Sequence, residues 1–492
     1  MTQKVANAIA QMGWSLEQSY TALPELLFRD AEPAKFAAPR LAIVNEDLAG
    51  ELGISLEGVR GEELAALFTG QTVPSGARTI AQAYAGHQFG GFTMLGDGRA
   101  LLLGEQRTPA GELFDIQFKG SGPTPFSRRG DGLAALGPML REYIVSEAMA
   151  GLGVPTARSL AVVETGETVY RESLLKGAVL TRVASSHIRV GTFQYLAAQR
   201  DHDALRKLAD YTIGRHDPDL LELEAETRYA EFIRRVLQRQ ARLIAQWQSV
   251  GFIHGVMNTD NVALCGETID YGPCAFMDVY HPDTVFSSID HGGRYAYKNQ
   301  PPIGQWNLAR FAETLLPLLN EDTDTAIDQA TELLGEYPDE FESAWLEQMR
   351  RKLGLVSQQA EDREIAESLL DWMQSAEADF TNVFDDLSCG TLDEAKYTEQ
   401  AITDWYAGWK ARVAKDHGST EEARQVMQLV NPAVIPRNHR VEEALASATA
   451  GDMSVVHSLL DALKKPFVRD SGSKRLRQPP APGQCYRTFC GT

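Results

Sequence analysis

His254-Gly-Val-Met-Asn-Thr-Asp-Asn261 opens the stretch of sequence that decides the fold, and Asp270-Tyr-Gly272 closes it, nine positions past that Asn. The stretch brings two carboxylates, Asp260 and Asp270, close in sequence to the amide of Asn261. His, Asn and Asp at loose spacing also occur in ordinary loops, where His254 would be a buried side chain beside a polar turn. The function of this stretch therefore depends on what the rest of the chain supplies.

The spacing matches the catalytic loop and the metal-binding turn of protein kinases, with one residue changed. Kinases carry H-R-D-x-x-x-x-N in the loop and D-F-G in the turn, and the Asn and the second Asp hold Mg²⁺. On that pattern Asn261 and Asp270 are the candidate metal ligands. Val256 stands where a kinase has its catalytic Asp, and a valine neither orients a hydroxyl nor accepts its proton. Either the chain is an inactive kinase, or it uses the nucleotide differently.

A strand and a helix upstream carry a second kinase-like pair. Residues 113–119, Leu-Phe-Asp-Ile-Gln-Phe-Lys, alternate apolar and polar side chains, which predicts a half-buried strand ending in a lysine. Glu142 lies 23 residues later in a predicted helix that Gly137-Pro138 opens, because proline suits the first turn. A strand Lys and a helix Glu form the ion pair that positions phosphates in kinases. Each of these residues alone is a weak signal. A chance match is much rarer for the ordered set Lys119, Glu142, His254, Asn261 and Asp270.

Two glycine-rich segments flank this predicted strand. Gly96-Asp-Gly-Arg99, between the apolar runs 92–95 and 100–103, predicts a hairpin in the place of the kinase glycine-rich loop, although G-x-G-x-x-G is absent. The segment 120–132 contains two arginines, and backbone N–H groups in such a loop can form an anion-binding nest. An ordinary hairpin and a solvated surface loop explain the two segments equally well.

The second half of the chain is predicted to be mainly helical. An apolar stripe at helical spacing, typical of a core helix, precedes the catalytic loop: Tyr229, Phe232, Ile233, Val236, Leu237, Leu243, Ile244 and Trp247. Further helices are predicted at 308–320, 324–336, 338–353, 361–378, 394–415 and 420–430.

We therefore expect an α+β fold of the two-lobed, protein-kinase-like kind, with a small β-rich N-lobe and an enlarged helical C-lobe. Residues 1–185 would form an N-terminal extension and the N-lobe. Residues 186–465 would form the C-lobe, with the catalytic loop and the activation segment. Residues 466–492 would form a mobile C-terminal tail that carries a redox cysteine.

Composition restricts the classes of function. The chain has 492 residues, more than one ordinary domain needs, and a hydrophobic content of 43% that suffices for a sizeable core. A net charge of −20 argues against a nucleic-acid-binding surface. The sequence shows no apolar run long enough to cross a membrane and no signal or transit peptide, so we expect a cytoplasmic protein. The five cysteines include no C-x-x-C pair, which argues against a structural zinc site.

Several motifs of this chain occur together in one known family. They are Tyr84-Ala-Gly-His-Gln-Phe-Gly90, Gly96-Asp-Gly-Arg99, residues 118–132, His254 to Asn261 and Asp270-Tyr-Gly272. On these motifs the chain resembles the selenoprotein O family of protein adenylyltransferases, which have a protein-kinase-like fold. The similarity covers nearly the whole chain, and its most specific motif is Phe-Lys-Gly-Ser-Gly-Pro-Thr-Pro-Phe-Ser-Arg-Arg-Gly-Asp-Gly at 118–132.

The resemblance implies a nucleotide bound in reverse relative to ordinary kinases. By similarity, Asp270 and eight further residues contact it: Gly96, Gly98, Arg99, Lys119, Asp131, Gly132, Arg182 and Arg189. Asn261 and Asp270 would hold Mg²⁺ or Mn²⁺, Asp260 would accept the proton, and Glu142 would pair with the strand lysine.

Two of these roles have alternatives in the residues themselves. Arg182 and Arg189 also fit structural arginines, but AMP transfer builds charge on the leaving pyrophosphate, and arginine forks suit that charge. Asp260 lies beside a metal ligand, so it could instead orient the loop or bind metal through water.

The resemblance also implies a redox-sensitive disulfide. In that family the third-last residue is selenocysteine or cysteine, and it can form a disulfide with a cysteine of the activation segment. Cys490 and Cys274 match those two places. Cys485 is a nearby competitor, and two unlinked thiols are the usual state in a reducing cytosol.

The function implied is transfer of AMP from ATP to Ser, Thr or Tyr hydroxyls of proteins, with release of pyrophosphate. Transfer of UMP from UTP with Mn²⁺ is a variant. An ordinary γ-phosphate kinase is one alternative, and Val256 argues against it. A catalytically inactive pseudokinase scaffold is the other, and the retained Lys119, Asn261 and Asp270 argue against that. We expect ATP and protein substrates as partners, and neither nucleic acid nor a membrane.

Overall fold

The computed structural model describes residues 9–392, 397, 399–470, 472–481 and 488. Within them strands dominate up to Ala184 and helices after it. The predicted α+β class is confirmed. The two-lobed, kinase-like arrangement and the three segment boundaries stay predictions.

Antiparallel strands build the first part of the molecule, and two further short strands lie later in the chain. They are β1 (Leu16–Glu17), β2 (Phe28–Asp30), β3 (Arg40–Val44), β4 (Ile80–Gln82), β5 (Ala85–Gln88), β6 (Gly91–Met94), β7 (Ala100–Arg107), β8 (Leu113–Lys119), β9 (Ala134–Ala135), β10 (Arg158–Tyr170), β11 (Leu174–Ala184), β12 (Phe252–Ile253) and β13 (Ala275–Phe276). The large sheet has the order β2-β4-β7-β8-β11-β10-β3, with β1 on β7 and β9 on β11. β5 pairs with β6, and β12 with β13.

Strand β8 lies inside the sheet, between β7 and β11, and it carries Lys119 at its end as predicted. The strand is more buried than the predicted half-buried one, because its polar positions are covered as well. Asp115 and Gln117 are 1% and 0% exposed. Arginines from the adjoining strand and from a later helix cover this polar face, for Arg182 reaches Gln117 and Arg215 reaches Asp115. Such contacts join residues distant in sequence, which periodicity does not detect.

The predicted hairpin around Gly96–Arg99 is wrong. The 92–94 run pairs backwards with β5, in the register Ala85 to Met94 and Gln88 to Gly91, and β7 pairs with β1, β4 and β8. The reason is a turn that the prediction overlooked. Phe89 and Gly90 have φ of 50° and 88°, the two positive values that a type I′ hairpin turn requires.

Sixteen described helices follow the strands or separate them. They are α1 (Glu46–Glu51), α2 (Gly61–Phe68), α3 (Leu136–Gly151), α4 (Val190–Gln199), α5 (His202–His216), α6 (Ala225–Ser249), α7 (Gln300–Leu319), α8 (Thr323–Gly335), α9 (Tyr337–Lys352), α10 (Asp362–Ser375), α11 (Phe380–Cys389), α12 (Gln400–Val413), α13 (Thr420–Met427), α14 (Asn438–Thr449), α15 (Ser454–Leu463) and α16 (Ser473–Arg477). Short 3₁₀ turns occupy Ser19–Ala22, Glu25–Leu27, Pro218–Glu222, Thr259–Asn261 and Tyr297–Asn299.

The helices predicted in the second half are confirmed, four of them within about three residues at each end. The helix predicted at 308–320 begins earlier, at Gln300, and the one predicted at 394–415 begins at Gln400, where residues 394–396 and 398 of the prediction lie outside the described residues. The apolar stripe forms the buried face of α6, where Phe232 and Val236 are fully buried. Helix α3 carries Glu142 and packs its Leu140 and Ile144 against Val162 and Leu180 of the sheet. The α3 position therefore fixes Glu142 relative to β8.

The described part of the C-terminal tail is bonded to the helical part. Arg469 donates to Asp385 of α11 over 2.7 Å, and Arg477 pairs with the same carboxylate. Thr488 donates to the Pro273 carbonyl over 2.6 Å. Among the described helices, none combines the length and the apolar character needed to cross a membrane.

Candidate active site

The sheet and the helical part enclose a cleft of about 1880 Å³. Its walls include every residue for which the sequence predicted a nucleotide, metal, ion-pair or proton-transfer role: Gly96, Gly98, Arg99, Lys119, Asp131, Gly132, Glu142, Arg182, Arg189, Asp260, Asn261 and Asp270. The two predicted redox cysteines are not among the described residues that line the cleft. Cys274 is buried in an apolar cluster with Tyr271 and Phe276, and Cys490 lies outside the described residues.

Three cationic side chains converge on the carboxylate of Asp270. Lys119 Nζ and Arg182 Nη1 each lie 2.7 Å from its Oδ1, and Arg189 Nη1 lies 3.2 Å from its Oδ2. Partial burial of the carboxyl opposes its ionisation, but the charges of Arg182, Lys119 and Arg189 outweigh this effect and hold the Asp270 pKa well below its usual range. Asp270 is therefore a carboxylate at neutral pH.

The predicted Lys–Glu pair forms. Lys119 Nζ donates to Glu142 Oε2 over 2.6 Å, and both side chains are 6% exposed. Arg182 Nη1 lies 3.4 Å from Glu142 Oε1. The pair thus connects the end of β8 to helix α3, while β11 supplies Arg182 and the residue before α4 supplies Arg189.

The loop and the turn of the opening motif are tied together by His254. Its Nε2 lies 2.9 Å from the carbonyl of Ile269, the residue before Asp270. Asp270 itself has φ of 60°, in the left-handed region that non-glycine residues rarely adopt. Strained backbone of this kind clusters at functional sites, where the surrounding contacts maintain it. His254 is thus a buried histidine that also positions a candidate metal ligand.

Asn261 and Asp270 suit a hard divalent cation. Asn261 Nδ2 donates to the Val256 carbonyl over 2.9 Å, which leaves its Oδ1 as the free ligand atom. Both residues thus offer oxygen, the ligand type that Mg²⁺ and Mn²⁺ prefer. Across the described part of the chain, no three His, Cys, Asp or Glu side chains are grouped so that they could hold a metal. The pair therefore fits a cation that takes further ligands from phosphate and water.

Asp260 lies against the β5–β6 hairpin. A Cβ on Gly86 would come within 2.2 Å of Asp260 Oδ1, so only glycine permits this approach. Burial raises the pKa of Asp260 to about 6, although the Arg189 charge opposes the rise. Among the described residues its Oδ1 has no hydrogen-bond partner. A buried carboxylate with a free oxygen beside a candidate metal ligand can accept a proton or orient a ligand.

The two glycine segments form one wall of the cleft. Thr124 Oγ1 donates to the Asp97 carbonyl over 2.5 Å, and the Ser127 hydroxyl donates to the Gly98 carbonyl, so the second segment fastens the first. Asp131 pairs with Arg171 over 2.8 Å, and this hydrogen bond lowers its pKa against a smaller effect of burial. Asp131 is consequently an acceptor at the cleft rim, partly exposed.

Two residues that the sequence did not single out connect the glycine turn to the cation cluster. Asp97 Oδ2 accepts from Gln117 Nε2 over 3.0 Å, and Gln117 Oε1 accepts from Arg182 Nε over 2.7 Å. All three side chains are buried. The sequence did carry one signal for Gln117. It lies on the polar face of β8, together with Asp115 and Lys119.

Comparisons with known proteins show the family of the chain. The family model for protein adenylyltransferase SelO matches residues 12–464. The protein nucleotidyltransferase YdiU of Halalkalibacterium halodurans is 55% identical over 488 residues, which cover 98% of both chains. Proteins of that name from Geobacillus kaustophilus and Syntrophotalea carbinolica are 56% and 53% identical, over 98% and 99% of this chain and 99% of each relative. Because the family model and the relatives span nearly the whole chain, it belongs to the SelO family of protein adenylyltransferases.

Proposed function

We propose that this chain transfers AMP from ATP to Ser, Thr or Tyr hydroxyls of proteins and releases pyrophosphate. The observation that carries the proposal is the convergence of Lys119, Arg182 and Arg189 at the buried end of the cleft. Three cations there face two carboxylates, Asp270 and Glu142. The phosphates of a bound triphosphate are anions that three grouped cations can bind.

The arginines suit the leaving group of AMP transfer. When an acceptor attacks the α-phosphorus, negative charge grows on the β- and γ-phosphates that depart. Guanidinium groups bind phosphate in bidentate geometry, and in a buried site they stabilise developing charge more strongly than they would in water. Arg182 and Arg189 are 3% and 2% exposed, so both are desolvated in advance. We infer that they hold the pyrophosphate moiety, with the nucleotide reversed relative to a kinase and the glycine segments near its adenosine end.

Asn261 and Asp270 would hold Mg²⁺ or Mn²⁺. When bound, such a cation neutralises phosphate charge and fixes the phosphate geometry. The three cations around Asp270 oppose entry of the metal alone, since like charges repel, so the metal and the nucleotide should bind together. Titration calorimetry with Mg²⁺ or Mn²⁺ should give no saturable heat without nucleotide.

Asp260 is the residue that we propose as proton acceptor. It lines the cleft beside Asn261, whereas Val256 also lines the cleft but carries no group that could take a proton. The raised Asp260 pKa of about 6 makes it a better base than an ordinary aspartate while it stays largely ionised at neutral pH. As the sequence predicts, the enzyme would have two kinase-like lobes, and the reaction would take place in the cytoplasm.

Labelled ATP tests the proposal. Purified protein incubated with Mg²⁺ or Mn²⁺ should attach label from α-labelled ATP to itself or to a generic protein, and none from γ-labelled ATP. Label from the γ position alone would identify a kinase. Nucleotide binding without incorporation from either would indicate a scaffold, and UTP with Mn²⁺ in parallel would measure UMP transfer.

We also propose that Cys274 and Cys490 form a regulatory disulfide. The support is Thr488, whose hydrogen bond to the Pro273 carbonyl brings the tail next to the chain position of Cys274. A bond there would tether the tail beside the Asp270 turn and restrict acceptor entry. A reductant should therefore raise the activity of the wild type but not of Cys490→Ala, and non-reducing peptide mapping should find the linked pair. Equal turnover with and without dithiothreitol would exclude a switch.

A further inference from the structure

The β5–β6 hairpin, residues 85–94, has two edges with different surroundings. Its closing pair is Gln88 with Gly91, around the two-residue turn Phe89–Gly90. In a hairpin closed by a two-residue turn, hydrogen-bonded and non-hydrogen-bonded pairs alternate from the turn outwards. The pairs His87–Phe92 and Ala85–Met94 are therefore the non-hydrogen-bonded ones, and their backbone N–H and C=O groups point away from the hairpin.

The catalytic loop occupies the β5 edge. The His87 N–H donates to Thr259 Oγ1 over 2.7 Å, and the Phe89 N–H donates to Asn258 Oδ1 over 3.0 Å. These two loop residues immediately precede Asp260. The outward groups of β5 are thus used to hold the hairpin against the candidate proton acceptor.

The β6 edge is left open. Phe92 and Met94 direct their backbone N–H and C=O groups to that side, and within the described residues these groups have no hydrogen-bond partner. The segment is also exposed, with Phe92 at 47% and Met94 at 39%. An open edge of this kind is a template for a further strand, and proteins usually protect it with charge, proline or a covering loop. Phe92-Thr-Met carries none of these protections.

The two faces of the hairpin also differ. Gly86 and Thr93 share the face that lies against Asp260, because paired residues point to the same side. His87 and Phe92 share the other face, where the His87 ring contacts Phe92 and Trp306 at 5.2 and 5.4 Å between centroids.

Arg294 lies over the ring of Trp306 at 4.9 Å, and Trp306 in turn contacts His87 of the hairpin. No carboxylate of the described residues forms an ion pair with this guanidinium, although the chain as a whole carries a net charge of −20. Aromatic residues, methionine and arginine are the residue types enriched at protein–protein interfaces.

We propose that an extended segment of the acceptor protein pairs with β6 as a third strand; this rests on the proposed transfer to proteins. The outward N–H and C=O groups of Phe92 and Met94 repeat at the spacing of a strand edge, which a polypeptide backbone matches and a lipid or a small molecule does not. Alternate side chains of the segment lie beside Phe92 and Met94 and are apolar. An acidic residue of the segment faces Arg294.

The position of β6 limits where the modified residue stands. A strand added to β6 lies two strand spacings, about 10 Å, from β5, the strand that Asp260 contacts at Gly86. Extended chain covers about 3.3 Å per residue, so the reacting hydroxyl stands roughly three residues from the paired stretch. The edge therefore works as an anchor that delivers the hydroxyl to the cleft.

Synthetic peptides test the anchor. A library with one central Ser, Thr or Tyr and randomised flanks is incubated with enzyme, α-labelled ATP and Mg²⁺, and the best peptides are remade with N-methyl groups at single positions. Methylation at alternate positions should abolish labelling, since only every second N–H faces β6, and methylation at the intervening positions should have little effect. Uniform tolerance of N-methylation would overturn the proposal.

Enzyme variants provide the matching half of the test. Phe92→Pro removes one outward N–H but no β5–β6 hydrogen bond, and it should raise the peptide KM roughly tenfold, with kcat, melting temperature and affinity for a fluorescent ATP analogue unchanged. Leu174→Ala, which alters a 72%-exposed apolar residue of β11, is the control and should change nothing. An unchanged peptide KM in Phe92→Pro would overturn the proposal. Loss of self-association as the only defect of Phe92→Pro would also overturn it, because the edge would then bind a second copy of this chain.

The outcomes separate this inference from the proposed function. A wild type that labels nothing from α-labelled ATP contradicts the AMP transfer itself. A wild type that labels folded proteins but no peptide overturns the edge alone, because an extended segment should then suffice. Peptide labelling that ignores both N-methylation and Phe92→Pro also overturns the edge, and it leaves AMP transfer intact.

Discussion

Strand β8 carries two buried ionic clusters, and they differ in charge balance. At its start Asp115 accepts from Arg215 Nη2 over 3.1 Å and from the His187 N–H over 2.8 Å. Burial lowers the pKa of His187 to about 4, so the ring is neutral and Arg215 is the one cation in contact with Asp115, with the buried Glu105 close to both. At the other end Lys119, Arg182 and Arg189 face Asp270 and Glu142.

The difference suggests different roles for the two clusters. The Asp115 cluster contains one cation, does not line the cleft, and joins β8 to helix α5. The cluster at Lys119 groups three cations side by side, in direct contact with two carboxylates, and opens into the cleft, where an anionic ligand can reach them. Grouping like charges in a buried site is costly unless anions compensate them. We therefore interpret the Asp115 cluster as structural and the Lys119 cluster as the nucleotide site.

The largest effect is expected for Asp270→Ala. Loss of this carboxylate removes a proposed metal ligand and the anion that the three cations share, so α-label transfer should fall by on the order of 10³-fold. The melting temperature should change little if ATP compensates the cations, and thermal melts with and without ATP measure this. Turnover within a factor of ten of wild type, at about 1.4 kcal/mol per tenfold, would contradict the central role of Asp270.

Asp260→Ala tests the group beside the cluster. A general base contributes about 10²- to 10⁴-fold, so kcat should fall by at least about 10²-fold while ATP affinity stays the same. Steady-state kinetics and binding of a fluorescent ATP analogue measure the two quantities. Near-normal kcat would remove Asp260 from the base role and leave the remaining site intact.

Lys119→Met and Asp115→Asn compare the two clusters on one strand. Lys119→Met should reduce transfer by about 10²-fold with the fold retained, since a phosphate-binding cation is lost. Asp115→Asn should destabilise the protein by about 3 kcal/mol, because Arg215 is left buried without its counter-charge, while the folded enzyme keeps its kcat. Denaturant unfolding and active-site-normalised rates distinguish them. The reverse pattern would refute the assignment of the clusters.

The smallest effect is expected for Gln117→Leu. The change removes the acceptor that orients Arg182 and the donor to Asp97, so kcat should fall by about tenfold with little change in the KM for ATP. Gln117→Glu restores an acceptor for Arg182 Nε and should recover part of the loss. Equal kcat in wild type and in both variants would show that Gln117 only fills space.

The sequence predicted the parts of the site that follow local patterns. Alternation located Lys119 at a strand end, the apolar stripe located α6, and motif spacing located Asn261 and Asp270. The β5–β6 hairpin was missed because Gly96-Asp-Gly resembles a turn more than Phe89-Gly90 does. Burial of Gln117 was missed because distant residues cover the polar face of β8. Local chemistry is readable in sequence, whereas contacts between distant segments are not.

A crystal structure with Mg²⁺ and a non-hydrolysable ATP analogue tests the central claim most directly. The measurement is the position of each phosphorus relative to the two ends of the cleft. Our prediction is that the β- and γ-phosphates lie at Lys119, Arg182 and Arg189, with the α-phosphorus nearest Asp260. A γ-phosphorus nearest Asp260, with the adenine among the three cations, would contradict it.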